Sequence, residues 1–346
     1  MPLTTVSPGM LDTTAQYYSF KNRIINGAMV IDQRNAGAAL TMGTTAAGTY
    51  GVDRWAGYSG AGSLWQMQRV STGNLDFPFA MRMQRIAGQT STASIYYSQV
   101  IETNNTYGLA GSPVTLSFYV TAGANYSGGS GFGFQVITGT AADQGMSSMN
   151  SGTWTGAAYP GTTLTPTTTR TLVTFTTTLG ASVQEIGIRF YWAGSGTAGA
   201  ADFVDITGVQ LEKGSTATSF DYRPYGTELA LCQKYYYRQT SQATGDYFVP
   251  NAYAISTTLA FGFNTFPVPM RTRPTALEQS GTAADYNVVR CGLGTNANCS
   301  AVPTFGVANL VGAQTVFTVA SGLVNSNAGS VQANNTSAYL GWSAEL

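Results

Sequence analysis

The chain has 346 residues, of which 9% are charged, with 16 Lys and Arg balancing 16 Asp and Glu and no His at all. Ordinary globular domains carry about 25% charged residues, and the three lysines here (Lys21, Lys213 and Lys234) form no basic run, which excludes simple electrostatic binding of nucleic acid or of an anionic membrane. Without His there is no His-based triad, His general base or His-ligated metal. The 20 Tyr and 16 Phe argue against disorder, because disordered chains are charged and poor in aromatics. A neutral, weakly charged surface also has little protection against association, so a homo-oligomer is expected. The length suits two folded domains.

Residues 1–20 show no pattern beyond Ser7-Pro8-Gly9. The first 16 residues lack the basic start and apolar stretch of a secretory signal, and no window of 18 apolar residues follows. Synthesis in a cytoplasm without membrane insertion is therefore the expectation. Strand periodicity dominates from residue 21 onward. In 114–121, Val114, Leu116, Phe118 and Val120 alternate with Thr115, Ser117, Tyr119 and Thr121. Phe132, Phe134 and Val136 alternate likewise, as do Val173 and Phe175. In 185–192, Ile186, Ile188, Phe190 and Trp192 alternate with Glu185, Gly187, Arg189 and Tyr191. Such runs predict one buried and one polar face, as in antiparallel sandwiches. Gly194-Ser195-Gly196-Thr197-Ala198-Gly199 matches the dinucleotide-binding glycine pattern, but a strand-like run from Asp202 follows where that motif needs a helix. The segment reads as a hairpin loop. One helix is predicted over 228–238, with Thr227 as N-cap, Glu228 in its first turn and Lys234 and Arg238 in its last. It follows Arg223-Pro224 and marks a domain junction. The fold class is all-β: a peptide at 1–20, a jelly-roll β-sandwich at 21–225, and a linking helix with a second β-sandwich domain at 226–346. There is no repeat of 20–50 residues. Three Cys make no disulfide framework. They read as free thiols, with pairing of Cys291 and Cys299 the alternative.

The acidic residues are scattered. Asp202 and Asp205 are the closest pair in a strand setting, and a separation of three puts them on opposite faces. A glycosidase needs two converging carboxylates, so no enzyme activity is expected, with a polysaccharide depolymerase as the minor alternative. Sugar binding needs flat aromatic rings beside polar groups. Trp154 and Tyr159, in the Gly/Thr-rich stretch 151–166, are candidates in the first domain. Tyr247, Phe248 and Tyr253, after a Gly-Asp turn, are candidates in the second. For all five the competing reading is packing or a contact between chains. Trp55, Trp65 and Trp192 read as core. Asp53 with Arg54, and Glu212 with Arg223, read as internal ion pairs orienting loops.

Several segments resemble a widespread type of bacteriophage tail-fibre protein. They are Asn22-Arg23-Ile24-Ile25-Asn26-Gly27-Ala28-Met29 with Ile31-Asp32-Gln33-Arg34-Asn35, then Tyr50-Gly51-Val52-Asp53-Arg54-Trp55. Ile206-Thr207-Gly208-Val209-Gln210-Leu211-Glu212-Lys213-Gly214 follows, running on through Phe220 to Arg223-Pro224-Tyr225. The stretch from Glu228 to Tyr236 and the closing Tyr339-Leu340-Gly341-Trp342-Ser343-Ala344-Glu345-Leu346 are similar too. The resemblance implies a jelly roll like that of carbohydrate-binding modules followed by a distal β domain. It also implies a virion-attachment peptide at the start, with Val6, Pro8, Met10 and Leu11 its contact residues. The partners implied are other virion proteins through that peptide, a host-surface glycan or outer-membrane receptor, and further copies of the chain. A symmetric homotrimer would cover sheet edges that otherwise aggregate. The implied place is the virion, assembled in a bacterial cytoplasm. The alternative is a head fibre or cement protein decorating the capsid. No organic cofactor is expected. Carbohydrate-binding modules of this shape often hold a structural calcium ion, and the matching positions are Asn26 and Asp205. Ala28, however, stands where an acidic ligand is usual.

Overall fold

The computed structural model describes residues 21–60, 64–291 and 295–346. The attachment residues Val6, Pro8, Met10 and Leu11 lie outside the described residues. Among the described residues no helix is long and apolar enough to cross a membrane.

The alternating runs of the first domain build two six-stranded antiparallel sheets packed face to face as a jelly roll. The first sheet runs, edge to edge, Leu40–Thr41, Trp65–Ser71, Phe79–Arg85, Phe203–Lys213, Pro113–Ala122 and Thr171–Thr178. The second runs Thr49–Tyr50, Ala56–Ser59, Ser94–Ile101, Glu185–Ala193, Phe132–Gly139 and Gly161–Leu164. The inward set is the predicted one: Val114, Leu116, Phe118, Ile186, Ile188, Phe190, Phe132 and Val136 are fully buried. Trp55, Trp65 and Trp192 are core as expected, with Trp65 edge-on to Trp192 at 4.7 Å and Trp55 stacked on Tyr97 at 5.1 Å.

The glycine-rich segment after Trp192 is not a hairpin loop. It carries the chain from the second sheet to the first, and its shape is dictated by Arg85, which is fully buried. The Arg85 guanidinium donates to Asp202 Oδ2 at 3.0 Å, to Ser127 Oγ at 2.8 Å and to the carbonyls of Gln89 and Gly196 at 2.8 and 2.9 Å. A Cβ on Gly194 would fall 2.4 Å from Arg85 Nε. The glycines make room for a buried cation whose two Nη groups are wrapped in carbonyls and a carboxylate, the partners a buried charge requires.

The predicted helix runs Tyr225–Gln233 and starts after Pro224, so Thr227 lies inside it and caps nothing. Tyr236 to Arg238 leave the helix for the strand Tyr236–Thr240, which pairs with Tyr339–Ser343; Glu278–Gln279 completes a three-stranded sheet. Beyond it the second domain is a closed six-stranded barrel rather than a sandwich. Its strands run Tyr247–Ala254, Leu259–Thr265, Gly312–Val319, Asn296–Ala308, Tyr286–Arg290 and Ala328–Ala333, the last pairing back to the first. Closure leaves a narrow interior, filled by Ala252, Ala254, Ala260 and Ala333 among larger Phe248, Phe317 and Val331. Cys291 is exposed, Cys299 buried, and both are free thiols.

The two domains are joined by buried charge. Glu345 accepts from Arg34 at 3.3 Å and, at closer range, from Arg54, with all three side chains at least nine-tenths buried. Arg34 lies flat on the Tyr236 ring at 3.4 Å and Arg54 on the Tyr235 ring at 3.6 Å. Arg271 donates to the carbonyls of Ala344 and Glu345, both at 2.9 Å. The expected ion pairs therefore have other partners. Asp53 binds the Gln33 backbone N–H at 2.9 Å while Arg54 binds Glu345. Glu212 accepts from Gln210 and Thr218, while Arg223 pairs with Glu228 at 3.1 Å. Removing the acid from a buried cluster leaves its cations uncompensated. Glu345→Gln should therefore lower unfolding free energy by about 3 kcal/mol in urea titrations, against about 1 kcal/mol for Asp205→Asn at the more exposed Arg82 pair. Equal losses would mean that the cluster does not hold the domains.

Candidate functional site

The outer face of the second sheet divides in two. One half is sealed. The five-residue helix Met146–Asn150 lies on it, and Met146, Met149 and Trp154 pack against Ala56, Val100 and Ile137. Gly187 makes the seat, since a Cβ there would fall 2.2 Å from Met149 Sδ and 3.2 Å from the Trp154 ring. Trp154 is thus 4% exposed, its indole N–H donating to the Gly145 carbonyl at 3.0 Å. It is a structural lid residue, not the loop contact that its Gly/Thr-rich surroundings predict.

The other half is aromatic and half-buried. Tyr58, Tyr96 and Tyr191 lie side by side on three neighbouring strands, because register pairs Tyr58 with Tyr96 and Tyr96 with Tyr191. Tyr58 and Tyr96 stack at 5.4 Å with 16° between planes, and Tyr96 meets Tyr191 at 6.1 Å. Tyr191 pairs in turn with Gly133, where a Cβ would come within 2.2 Å of its ring. Gly133 is the slot that lets this ring lie down on the sheet, and exposed Thr163 follows on the edge strand. One step along the strands, Arg189 stands between the rings of Tyr96 and Tyr159, 5.3 and 5.6 Å from their centroids. Gln135 Oε1 accepts from both Arg189 Nε at 3.0 Å and Nη2 at 2.7 Å. Tyr159 is 39% exposed, so this predicted residue does join the site. Rings, phenol hydroxyls, an amide and a guanidinium thus lie together on a rigid sheet, the combination that presents flat faces and directional hydrogen bonds to a ligand.

The remaining predicted residues fall elsewhere. Phe248 is 2% exposed and packs on Tyr286 inside the barrel, so it is core. Tyr247 and Tyr253 are exposed on the barrel wall, Tyr253 meeting Phe261 edge-on at 5.9 Å. Asn26 and Asp205, the two calcium positions, are both engaged by protein groups. The Asn26 side chain is buried and spans Ile31 and Asp53, donating to both carbonyls and accepting the Ile31 N–H at 3.0 Å. Both Asp205 oxygens are held by Arg82 at 2.8 Å. Hard cations need several free oxygens, and among the described residues no group of three His, Cys, Asp or Glu side chains converges. Asp202 and Asp205 are likewise separate, one bound to buried Arg85 and the other to Arg82. The sequence reading missed Tyr58, Tyr96, Tyr191, Arg189 and Gln135. Their signal is Tyr and Arg at outward strand positions that Thr and Ser hold elsewhere.

No family model matches the chain, and no curated protein matches it. Among solved structures it is similar to the enzymatically active domain of tailspike protein 4 of bacteriophage CBA120, at 12% identity and TM-score 0.36, covering 56% of this chain and 21% of that one. It is similar to a sugar-binding protein of Bacteroides thetaiotaomicron at 15% identity and TM-score 0.35, covering 56% of this chain and 100% of that one. A carbohydrate-binding module of the CBM4 type matches at 18% identity and TM-score 0.30, over 55% of this chain and 98% of its own.

The Gly133 slot is testable on its own. Gly133→Ala should lift the Tyr191 ring, cost about 1 kcal/mol by overpacking, and alter the near-UV circular dichroism of the tyrosines as Tyr191→Ala does. An unchanged near-UV spectrum would show that the ring does not rest there.

Proposed function

We propose that this chain is a non-catalytic, glycan-binding structural protein of a bacteriophage particle, a homotrimeric tail fibre or spike that touches the host surface. The observation that carries the glycan reading is the Tyr58, Tyr96 and Tyr191 row with Arg189, Gln135 and Tyr159 beside it. Pyranose rings present apolar faces that stack on aromatic rings, and hydroxyls that need donors and acceptors in the same plane. The virion placement is supported by the resemblance of 22–35, 50–55, 206–236 and 339–346 to fibre proteins. The trimer is supported by the 9% charge content, which favours burying surface between copies. Single-site binding on an open face is weak, and three faces on one particle appendage would raise it through effective concentration. The absence of catalysis is supported by the separate engagement of Asp202 and Asp205.

The test is binding of the full chain to a panel of bacterial surface polysaccharides and their oligosaccharides. Tyr191→Ala should weaken binding about tenfold, the loss of one stacked ring. Binding that is unaffected by Tyr191→Ala and Tyr96→Ala would overturn the site. Release of reducing ends would overturn the non-catalytic reading. Native mass at micromolar concentration should be that of three chains; a single-chain mass would remove the trimer, and labelling on the phage head would move the protein to the capsid.

A further inference from the structure

Arg189 gives the tyrosine face a charge that nothing else in the fold uses. Several other arginines of the sandwich and junction have anionic partners: Arg34 and Arg54 share Glu345, Arg85 binds Asp202, Arg82 binds Asp205 and Arg223 binds Glu228. Among the described residues Arg189 has no carboxylate within ion-pair distance. Its polar contact is the neutral amide oxygen of Gln135, which accepts from the Nε and Nη2 side of the fork. A guanidinium has five donors, so this contact leaves the Nη1 hydrogens uncommitted. Two rings flank the group, Tyr96 and Tyr159, and they stabilise a cation without neutralising it. Burial pulls the Arg189 pKa down, with the facing phenols of Tyr96, Tyr159 and Tyr191 opposing. A half-buried cation without a counter-ion costs free energy that an anionic ligand would recover.

We infer that the saccharide bound on this face carries a carboxylate: a hexuronate residue whose ring stacks on the tyrosine row while its carboxylate meets Arg189. The inference rests on the glycan reading above and narrows it to acidic sugars. A planar carboxylate suits the guanidinium fork. Gln135 fixes the fork in advance, so little ordering is needed on binding. The phenol hydroxyls of Tyr58, Tyr96, Tyr159 and Tyr191 have no hydrogen-bond partner among the described residues, which leaves them for the sugar hydroxyls.

The experiment compares two probes of equal length on the full chain by calorimetry: an oligomer of galacturonate and the same oligomer after reduction of its carboxylates to primary alcohols. The uronate should bind about tenfold tighter than the reduced form, and the difference should shrink as salt rises. Arg189→Gln should bring the ratio close to one, with the larger loss falling on the uronate. Tyr191→Ala should weaken both probes alike. If the reduced oligomer binds as tightly as the uronate, the acidic-sugar inference falls and the tyrosine face stands as a neutral-glycan site. If the uronate is preferred and Arg189→Gln keeps that preference, Arg189 is not its source and the inference falls. If neither probe binds, the inference falls, and the polysaccharide panel decides separately whether the face binds glycan at all.

Discussion

Everything in this chain turns on the buried cluster in which Glu345 meets Arg34 and Arg54. One carboxylate from the far end of the sequence compensates two cations from the opening of the jelly roll. Each cation also lies on a tyrosine, Tyr236 or Tyr235, of the passage from the helix into the first strand of the second domain. Burying charge is costly unless partners and hydrogen bonds are complete, so this arrangement tolerates one relative placement of sandwich and barrel. The same logic links the segments 22–35, 50–55, 206–236 and 339–346. Asn22 and Asn26 tie the opening turn to Val209, Leu211, Ile31 and Asp53. A Cβ on Gly27 would fall 2.0 Å from the Val209 carbonyl oxygen. Glu228 closes the set through Arg223. These blocks converge on one junction and wire it together.

The sandwich was legible because alternation is a local signal. Val114, Leu116, Phe118 and Val120, with Ile186, Ile188, Phe190 and Trp192, are the inward rows. The barrel was not legible, because alternation is the same in a closed and an open sheet. Closure depends on Tyr247–Ala254 finding Ala328–Ala333 some 80 residues away. The helix was placed but run too far: Tyr236 to Arg238 have a ladder partner in Tyr339–Ser343 that no local propensity reveals.

The tyrosine face was hidden for a related reason. Positions 58, 96 and 191 have no spacing that a motif search would notice, and register alone brings them together. The loop reading of 151–166 found the exposed residue, Tyr159, and mistook the buried one, Trp154, because composition reports that a segment is a loop and not what it lies on. Glycines mark both halves of the face, Gly187 beneath the lid and Gly133 beneath Tyr191. Each is a place where a side chain from elsewhere occupies the volume that a Cβ would take.

The lid formed by Met146, Met149 and Trp154 has a consequence for what the open half can measure. By sealing the outer surface from Gly187 onward it leaves a single transverse band, from Tyr58 across four further strands to Thr163. At about 4.8 Å between strands the band is about 19 Å long, with its long axis across the strands. The sealed half acts as a kerb along that track. Under the glycan reading proposed above, a polymer lying against it would be gauged over a fixed short stretch and would be free to continue past both ends, so the band would register the repeat of a long chain and not where that chain stops.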